Sequence, residues 1–481
     1  MSVRELEPKT VWNHFADLNA VPRASKKEEE VIAFMVNFGK SLGLETFTDE
    51  VGNVFIKKPG SKGFEDKPIV VMQGHLDMVH QKNADVDFDF ATQGIKMKVE
   101  EDWVKAEGTT LGADNGMGVA YIMAILSSND IDHPPLEALF TIDEETGMTG
   151  ALGLKGGLLD GRIMINLDTE DDDEITIGCA GGVDVTASRN SETEATPSEM
   201  TSFKLTLNGL NGGHSGMDII KGLGNANKLM NRMLWKMREA HGLRIHSING
   251  GGLRNAIPRE SFSEVAIPKV NLEDWKAEFM SRAETIKAEY ASNDADLNIS
   301  LEEISSPDSV ITVSLQDGVL ASIYAAFNGI YRMSPDIPDL VQTSNNVAKV
   351  TVNNEMCEVL CLTRSSLDSE KFDLANALAG AFEPAGFDLS LDGSYPGWTP
   401  APKSDLVEMM RKLYVEMFEE QPNVMACHAG LECGILSTNY PGMDMISFGP
   451  NIRGAHSPDE KCQISSVKKS WDYLLEGLKR I

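Results

Sequence analysis

Four short apolar runs, residues 69–72, 136–142, 163–167 and 443–448, each lead into acidic or imidazole side chains, and this pattern constrains the fold more than any other feature of the chain. Runs of this length, rich in β-branched residues, read as buried strands. The first is followed by Gly74-His75-Leu76-Asp77, and the second ends in Asp143-Glu144-Glu145. The third delivers Asp168, and the fourth leads through Gly449-Pro450 towards His456. Between the first two, Gly112-Ala113-Asp114-Asn115-Gly116 opens a helical stretch over residues 119–126, so Asp114 lies near a helix N-terminus, where negative charge is favoured. Ligands of open α/β sheets collect at the carboxyl ends of the strands. Side chains hundreds of positions apart are therefore expected to meet on one edge.

A chain of 481 residues exceeds what one core usually supports, so two domains are expected, and a 42% hydrophobic content suffices to build them. The 73 acidic residues outnumber the 43 basic ones, for a formal net charge of -30. That balance argues against nucleic acid or an anionic membrane as partner, but says little about substrate, because bound cations can reverse the local potential. No stretch approaches the roughly 18 apolar residues of a membrane span. Residues 1–10 are too charged for a signal peptide, and a cytoplasmic location is expected. Cys179, Cys357, Cys361, Cys427, Cys433 and Cys462 are scattered and include no CxxC pair, which points to buried free thiols rather than disulfides or a thiolate metal site.

The fold class is α/β. An amphipathic helix over residues 26–42 and a strand over 51–56 precede the first apolar run, and this alternation implies a mostly parallel sheet flanked by helices. Residues 188–199 are polar and read as a linker. Strands and helices then follow as strand 203–207, helix 225–240, strands 243–248 and 261–267, helix 272–291 and strand 297–301. The theme returns with strands 347–352 and 358–362, helix 371–382 and strand 387–391, an α+β order of ferredoxin-like type that implies duplication. The turn-rich Tyr395-Pro396-Gly397-Trp398 marks the return to the first domain. The expected division is a catalytic domain over 1–186 and 397–481, with an inserted lid over 187–396.

Each residue has a plain structural reading beside its chemical one. His75-x-Asp77 is commonly a hydrogen-bonded pair, but at a strand end beside other carboxylates Asp77 can hold the far imidazole N–H and fix the tautomer. Adjacent Glu144 and Glu145 would repel unless a cation or shared proton offsets their charge, and they can divide labour, one binding metal and one holding a water. Asp114 can cap its helix, or its two oxygens can bridge two metals. The acidic run of residues 170–174 reads as a solvated face. Two histidines and several carboxylates without cysteine suit zinc, with cobalt or manganese as substitutes. Two such ions would share a hydroxide and polarise a carbonyl, giving amide or ester hydrolysis.

At this point Gly74-His75-Leu76-Asp77-Met78-Val79, Gly112-Ala113-Asp114-Asn115-Gly116, Asp143-Glu144-Glu145-Thr146-Gly147, Asn166-Leu167-Asp168 and the late His456 resemble the co-catalytic zinc peptidases that include carnosinase, peptidase T and glutamate carboxypeptidase. Gly212-Gly213-His214-Ser215-Gly216, Leu253-Arg254-Asn255-Ala256-Ile257-Pro258-Arg259 and His428-Ala429-Gly430-Leu431-Glu432-Cys433-Gly434 are similar, within that family, to the bacterial aminoacyl-histidine dipeptidases, over nearly the whole chain. The resemblance implies that His75 and Asp168 hold one of two zinc ions, that Glu145 and His456 hold the other, and that Asp114 bridges them. It also implies that Asp77 orients His75, that Glu144 is the general base, and that the Asp114-Asn115 peptide is cis. His214 would steady the oxyanion, while Asn255 and Arg364 would recognise the substrate's terminal carboxylate. Arg364 also reads as a surface or strand-edge ion pair. Glu432, on charge alone, is a candidate for the substrate's amine.

The expected activity is hydrolysis of Xaa-His dipeptides, including β-alanyl-histidine, by a zinc-bridged hydroxide. Short peptides are the expected partners. The lid admits a homodimer in which His214 serves a neighbour's site, or a duplicated lid that acts within one chain. The alternatives are a related amidase or tripeptidase acting on N-acyl amino acids or other short peptides, and a non-catalytic protein that retains the metals.

Overall fold

The computed structural model describes residues 2–481 and divides into two compact units. One comprises the chain up to Gly178, Trp398–Ala426 and Leu431–Ile481; the other comprises Cys179–Gly397 and the short segment Cys427–Gly430. Chain that reads locally as one loop, residues 427–434, is thus shared between them. His428 and Glu432, four residues apart, belong to different units.

The first unit is built on an eight-stranded mixed sheet. Its centre is parallel: Leu136–Thr141 pairs with Val70–His75, which pairs with Ile163–Asn166, which pairs with Asp444–Ser447. Antiparallel strands flank this centre, Val54–Lys58 and Glu45–Thr48 on one side and Glu174–Cys179 on the other. Because the four central strands run the same way, their carboxyl ends lie on one edge. Val70–His75 and Leu136–Thr141 are buried at every residue, as strands covered on both faces must be. The helix Ala113–Ser127 is buried from Asn115 to Leu126 and carries no polar face over residues 116–126, so it packs as an interior element.

The second unit holds a nine-stranded antiparallel sheet. Its main path runs Asn298–Ile304, Met200–Asn208, Ser261–Pro268, Arg244–Gly251, Val341–Val352, Met356–Ser365, Gly181–Asn190, Asp388–Tyr395. Taken in chain order, the first four strands with helices Ala226–His241 and Leu272–Tyr290 form strand-helix-strand-strand-helix-strand in the spatial order 4-1-3-2. Gly181–Asn190, Val341–Val352, Met356–Ser365 and Asp388–Tyr395, with helices Val313–Ala325 and Asp368–Phe382, repeat that order in mirror sequence across the sheet. The halves join where Arg244–Gly251 pairs with Val341–Val352. The structure therefore contains the duplication that element order implies. One continuous core, including Phe203, Trp275 and Phe279, runs beneath both halves.

Two local readings are corrected. Residues 188–199 are not a linker: Gly181–Asn190 is an interior strand of the second sheet, and Thr193–Ala195 pairs with Ser309–Ile311. The acidic run at 170–174 is a solvated face only in part, since Asp173 is exposed while the residues around it are partly buried. Asp172 pairs with Lys469 and accepts from Asn451, and burial pushes the Glu170 and Glu174 carboxyls up to about 8 and about 7. Helices Val313–Ala325 and Glu432–Asn439 were not apparent from the sequence. Neither shows a strong apolar stripe, since the first is apolar on most sides and the second is short.

Candidate metal centre and anion pocket

His75, Asp77, Asp114, Glu144, Glu145, Asp168 and His456 come together in the first unit. Asp114 lies at their centre, one carboxylate oxygen facing each histidine: Oδ1 is 3.2 Å from His75 Nε2, and Oδ2 is 3.2 Å from His456 Nε2. Asp168 Oδ1 stands 3.5 Å from the same His75 nitrogen, and Glu145 Oε2 stands 3.0 Å from the same His456 nitrogen. Two groups of three thus share one aspartate. Glu144 Oε2 is 4.0 Å from His75 Nε2, at the margin of the first group. Asp143, in a left-handed conformation with φ 53°, turns the chain from the strand into the short helix Glu144–Gly147, so both glutamates open a helix rather than end a strand.

Asp77 lies behind the cluster and is fully buried. Its Oδ1 is 3.4 Å from His75 Nδ1 and accepts from the Glu144 backbone N–H at 3.0 Å, while Oδ2 accepts from Ser25 Oγ at 2.8 Å. One carboxylate thereby fixes both an imidazole and the start of the Glu144 helix. The Asp114-Asn115 peptide is cis. The Asn115 amide donates to the Leu167 carbonyl, and a Cβ at Gly118 would lie 2.4 Å from that oxygen, so the dense glycines are what let this turn approach the Asp168 strand.

Five carboxylates surround two imidazoles, and the crowding shows in their titration. Burial, aided by Asp114, pushes Asp168 up to about 6, and burial holds Glu144 well above the usual carboxylate range. Hydrogen bonding to Asp114 and Glu145 pulls His456 up to about 11. Against the burial that opposes it, Asp114 is held far below its ordinary value by His456 and His75. One oxygen, Glu145 Oε1, is buried without a hydrogen-bond donor. An excess of inward-facing acceptors with an orphaned carboxylate oxygen fits divalent cations held by nitrogen and oxygen.

Glu432 corrects its expected place in a loop. It opens the helix Glu432–Asn439 and is fully buried, with Oε2 accepting from Gln73 Nε2 at 2.7 Å and Thr141 Oγ1 at 2.5 Å. Its Oε1 has no donor, and burial pushes the carboxyl up to about 8.

The remaining candidates gather in the second unit. His214 and Asn255 sit on adjoining segments, His214 being opposite Ala256 in a short antiparallel pair, and Asn255 presents an exposed side chain. Arg364 is no surface ion pair. It is 4% exposed and donates to Tyr395 Oη at 3.0 Å, with Nη2 3.4 Å from His214 Nε2 and no carboxylate within ion-pairing distance among the described residues. His214 Nδ1 accepts the backbone N–H groups of Gly216 and Met217, so the neutral ring carries its proton on Nε2. Two donors, imidazole and guanidinium, therefore meet without an acceptor, an arrangement that suits an anionic oxygen. Burial, then Arg364, lowers His214 to about 4.

Sequence reasoning did not assign a role to His428, whose Nε2 lies 2.7 Å from Ser344 Oγ and which burial lowers to about 3. This gives the second unit a measurable pH dependence. The unfolded ring protonates near 6.5 and the folded ring does not, so stability is complete above pH 6.5 and declines below it, by ~1.4 kcal/mol per pH unit from His428. His428→Gln is expected to flatten the decline of the thermal midpoint between pH 6.5 and 4.5. An unchanged slope in that variant would reject the buried neutral ring as its source.

The description Peptidase family M20/M25/M40 matches residues 71–480, a span that includes every strand-end residue of the cluster. The chain belongs to this peptidase family. The cytosol non-specific dipeptidase of Escherichia coli (strain K12) is 42% identical over 477 residues, which cover 99% of this chain and 98% of that protein. The crystal structure of the aminoacylhistidine dipeptidase from Vibrio alginolyticus superposes with a TM-score of 0.94 at 42% identity, covering 100% of this chain and 98% of that one. The aminopeptidase PepT structure from Bacillus cereus ATCC 10987, with a TM-score of 0.59 and 15% identity over 98% of each chain, shares the M20 fold. Among the described residues of this M20 peptidase, no helix is long and apolar enough to cross a membrane.

Proposed function

We propose that this protein is a cytoplasmic two-metal dipeptidase that hydrolyses Xaa-His dipeptides, β-alanyl-histidine among them. The observation that carries the reading is Asp114, whose two oxygens face two separate histidine-carboxylate pairs. The near full-length identity to two dipeptidases supports the choice of substrate class. One divalent ion, zinc by preference and cobalt or manganese as substitutes, would be held by His75, Asp168 and Asp114, and the other by His456, Glu145 and Asp114. Bound there, the pair supplies Lewis acidity that polarises the scissile carbonyl and lowers the pKa of a water.

The remaining chemistry belongs to the chain. Glu144 takes a proton from the attacking water on its carboxylate and returns it to the leaving amine. Asp77 holds the His75 ring and, through the Glu144 N–H, the base itself. His214 donates Nε2–H to the developing oxyanion, and Arg364 with Asn255 takes the terminal carboxylate, for which a guanidinium fork is the matching shape. Glu432, with an unsatisfied oxygen, is the acceptor assigned to the substrate's ammonium.

The test is a substrate panel. Free Xaa-His dipeptides are expected to turn over at least tenfold faster than their N-acylated forms, because an acyl cap removes the positive charge that Glu432 would meet. Chelation should abolish hydrolysis and added zinc should restore it. Preference for blocked amines would move the assignment to an N-acyl amino acid amidase, and hydrolysis that survives complete metal removal would sink the two-metal reading.

A further inference from the structure

The turn that carries Asp114 is clamped by buried side chains outside the ligand set. All four backbone N–H groups from Leu111 to Asp114 go to Glu460: Leu111 and Gly112 donate to Oε2 at 2.7 and 2.9 Å, Ala113 and Asp114 to Oε1 at 2.7 and 3.3 Å. Both carbonyls at the head of the turn are taken from the opposite side. Asn19 Nδ2 donates to Leu111 O at 3.0 Å, and Arg23 Nη2 donates to Gly112 O at 2.5 Å. Arg23 and Glu460 are each 2% exposed.

Each of these charges reaches a second place, and the two places differ. Arg23 Nη1 donates to the carbonyls of Leu76 and Asp77, both at 3.1 Å, on the two residues that follow His75. Asn19 Oδ1 accepts from Arg23 Nη2 at 2.9 Å, a further contact to the guanidinium beside the one to Gly112. Gly112 and Gly116 are small to admit it, since a Cβ at either would fall 2.4 or 2.6 Å from Nη2. Glu460 lies four residues beyond His456, and the intervening turn is closed by Ser457 and Glu460 backbone hydrogen bonds to Gly454 and Ser457. Arg23 therefore ties the shared aspartate to His75, while Glu460 ties it to His456.

We infer that Arg23 and Glu460 are positioning residues that set the two ion sites separately, Arg23 the His75 side and Glu460 the His456 side. This rests on the ligand sets proposed above. Loss of the Glu460 charge frees the turn from the segment bearing His456 but leaves the Arg23 contacts to Leu76, Asp77 and Gly112 in place. Loss of the guanidinium fork does the converse. Outer groups that orient ligands typically change metal affinity by about 10–100-fold.

The experiment titrates metal-free full-length protein with cobalt(II), following visible absorption and counting bound ions after gel filtration. His75→Ala and His456→Ala identify the signal of each side. Glu460→Gln is expected to weaken the ion whose signal is missing from His456→Ala by about tenfold or more, with the other changed by less than about threefold. Arg23→Lys, which keeps the charge but loses the fork, is expected to do the reverse. Should either variant fail to fold by circular dichroism, Glu460→Asp and Gly116→Ala make the same comparison, the latter by pushing Arg23 aside. Equal weakening of both ions, or no weakening of either, overturns the inference. Wild-type protein that takes up fewer than two ions would instead overturn the ligand sets themselves.

Discussion

Replacing Glu144 by glutamine is expected to lower kcat by ~10³-fold or more on any dipeptide substrate, within the range of a lost general acid–base group, while metal content and KM stay close to wild type. Glutamine keeps the shape and removes only the ability to take and return a proton. The surrounding geometry predicts that little else moves. The Glu144 backbone N–H is held by Asp77 independently of the side chain, and the carboxylate lies at the margin of the His75 group, 4.0 Å from Nε2, whereas Asp114 and Asp168 approach that nitrogen at 3.2 and 3.5 Å. Burial lifts the Glu144 carboxyl well above the usual range, which makes it a stronger base than an exposed glutamate. Steady-state kinetics with metal analysis on the same sample decides the matter. A variant that retains more than about a tenth of wild-type kcat, with both ions bound, removes Glu144 from the role of base.

The strand-end cluster was legible from sequence because each part of it is local. An apolar β-branched run followed by a polar ligand needs only a few residues to recognise, and a parallel arrangement then brings the ends to one edge. The four central strands obey that logic. The duplicated order of the second sheet was legible for a similar reason, as a rhythm of elements, although the strand Gly181–Asn190 was half lost in a polar stretch because alternate residues of an antiparallel strand can face water.

What could not be read is long-range and carried by single side chains. Arg23 stands in no motif, and its partners at Leu76, Asp77 and Gly112 are backbone carbonyls, which leave no trace in composition. Glu460 could have been noticed only by its spacing from His456. Gln73 and Thr141, which satisfy Glu432, are one inward position each on two fully buried strands and look like polar lapses in an apolar pattern. The plain alternative for Arg364, a surface ion pair, stayed open in the sequence for a related reason, since nothing there shows that its strand position is 4% exposed and faces Tyr395 and His214 instead of a carboxylate.

His214→Ala is expected to reduce kcat by ~10²–10³-fold, the cost of removing one donor to a developing oxyanion, with both ions still bound and a smaller change in KM. The argument begins from the tautomer. Two backbone N–H groups occupy Nδ1, so the proton sits on Nε2, next to an Arg364 guanidinium that has no carboxylate within ion-pairing distance among the described residues. With burial and Arg364 lowering the ring to about 4, His214 stays neutral at physiological pH and donates without titrating. The pH profile of His214→Ala should therefore keep the wild-type shape between pH 6 and 9 while its height falls; a limb that disappears with the imidazole would show that His214 moves a proton and is not a fixed donor. Mixing this variant with Glu144→Gln adds a second reading. If the duplicated lid acts within its own chain, the mixture is expected to recover no activity. Recovery well above either variant alone would mean that a neighbour's His214 completes the site.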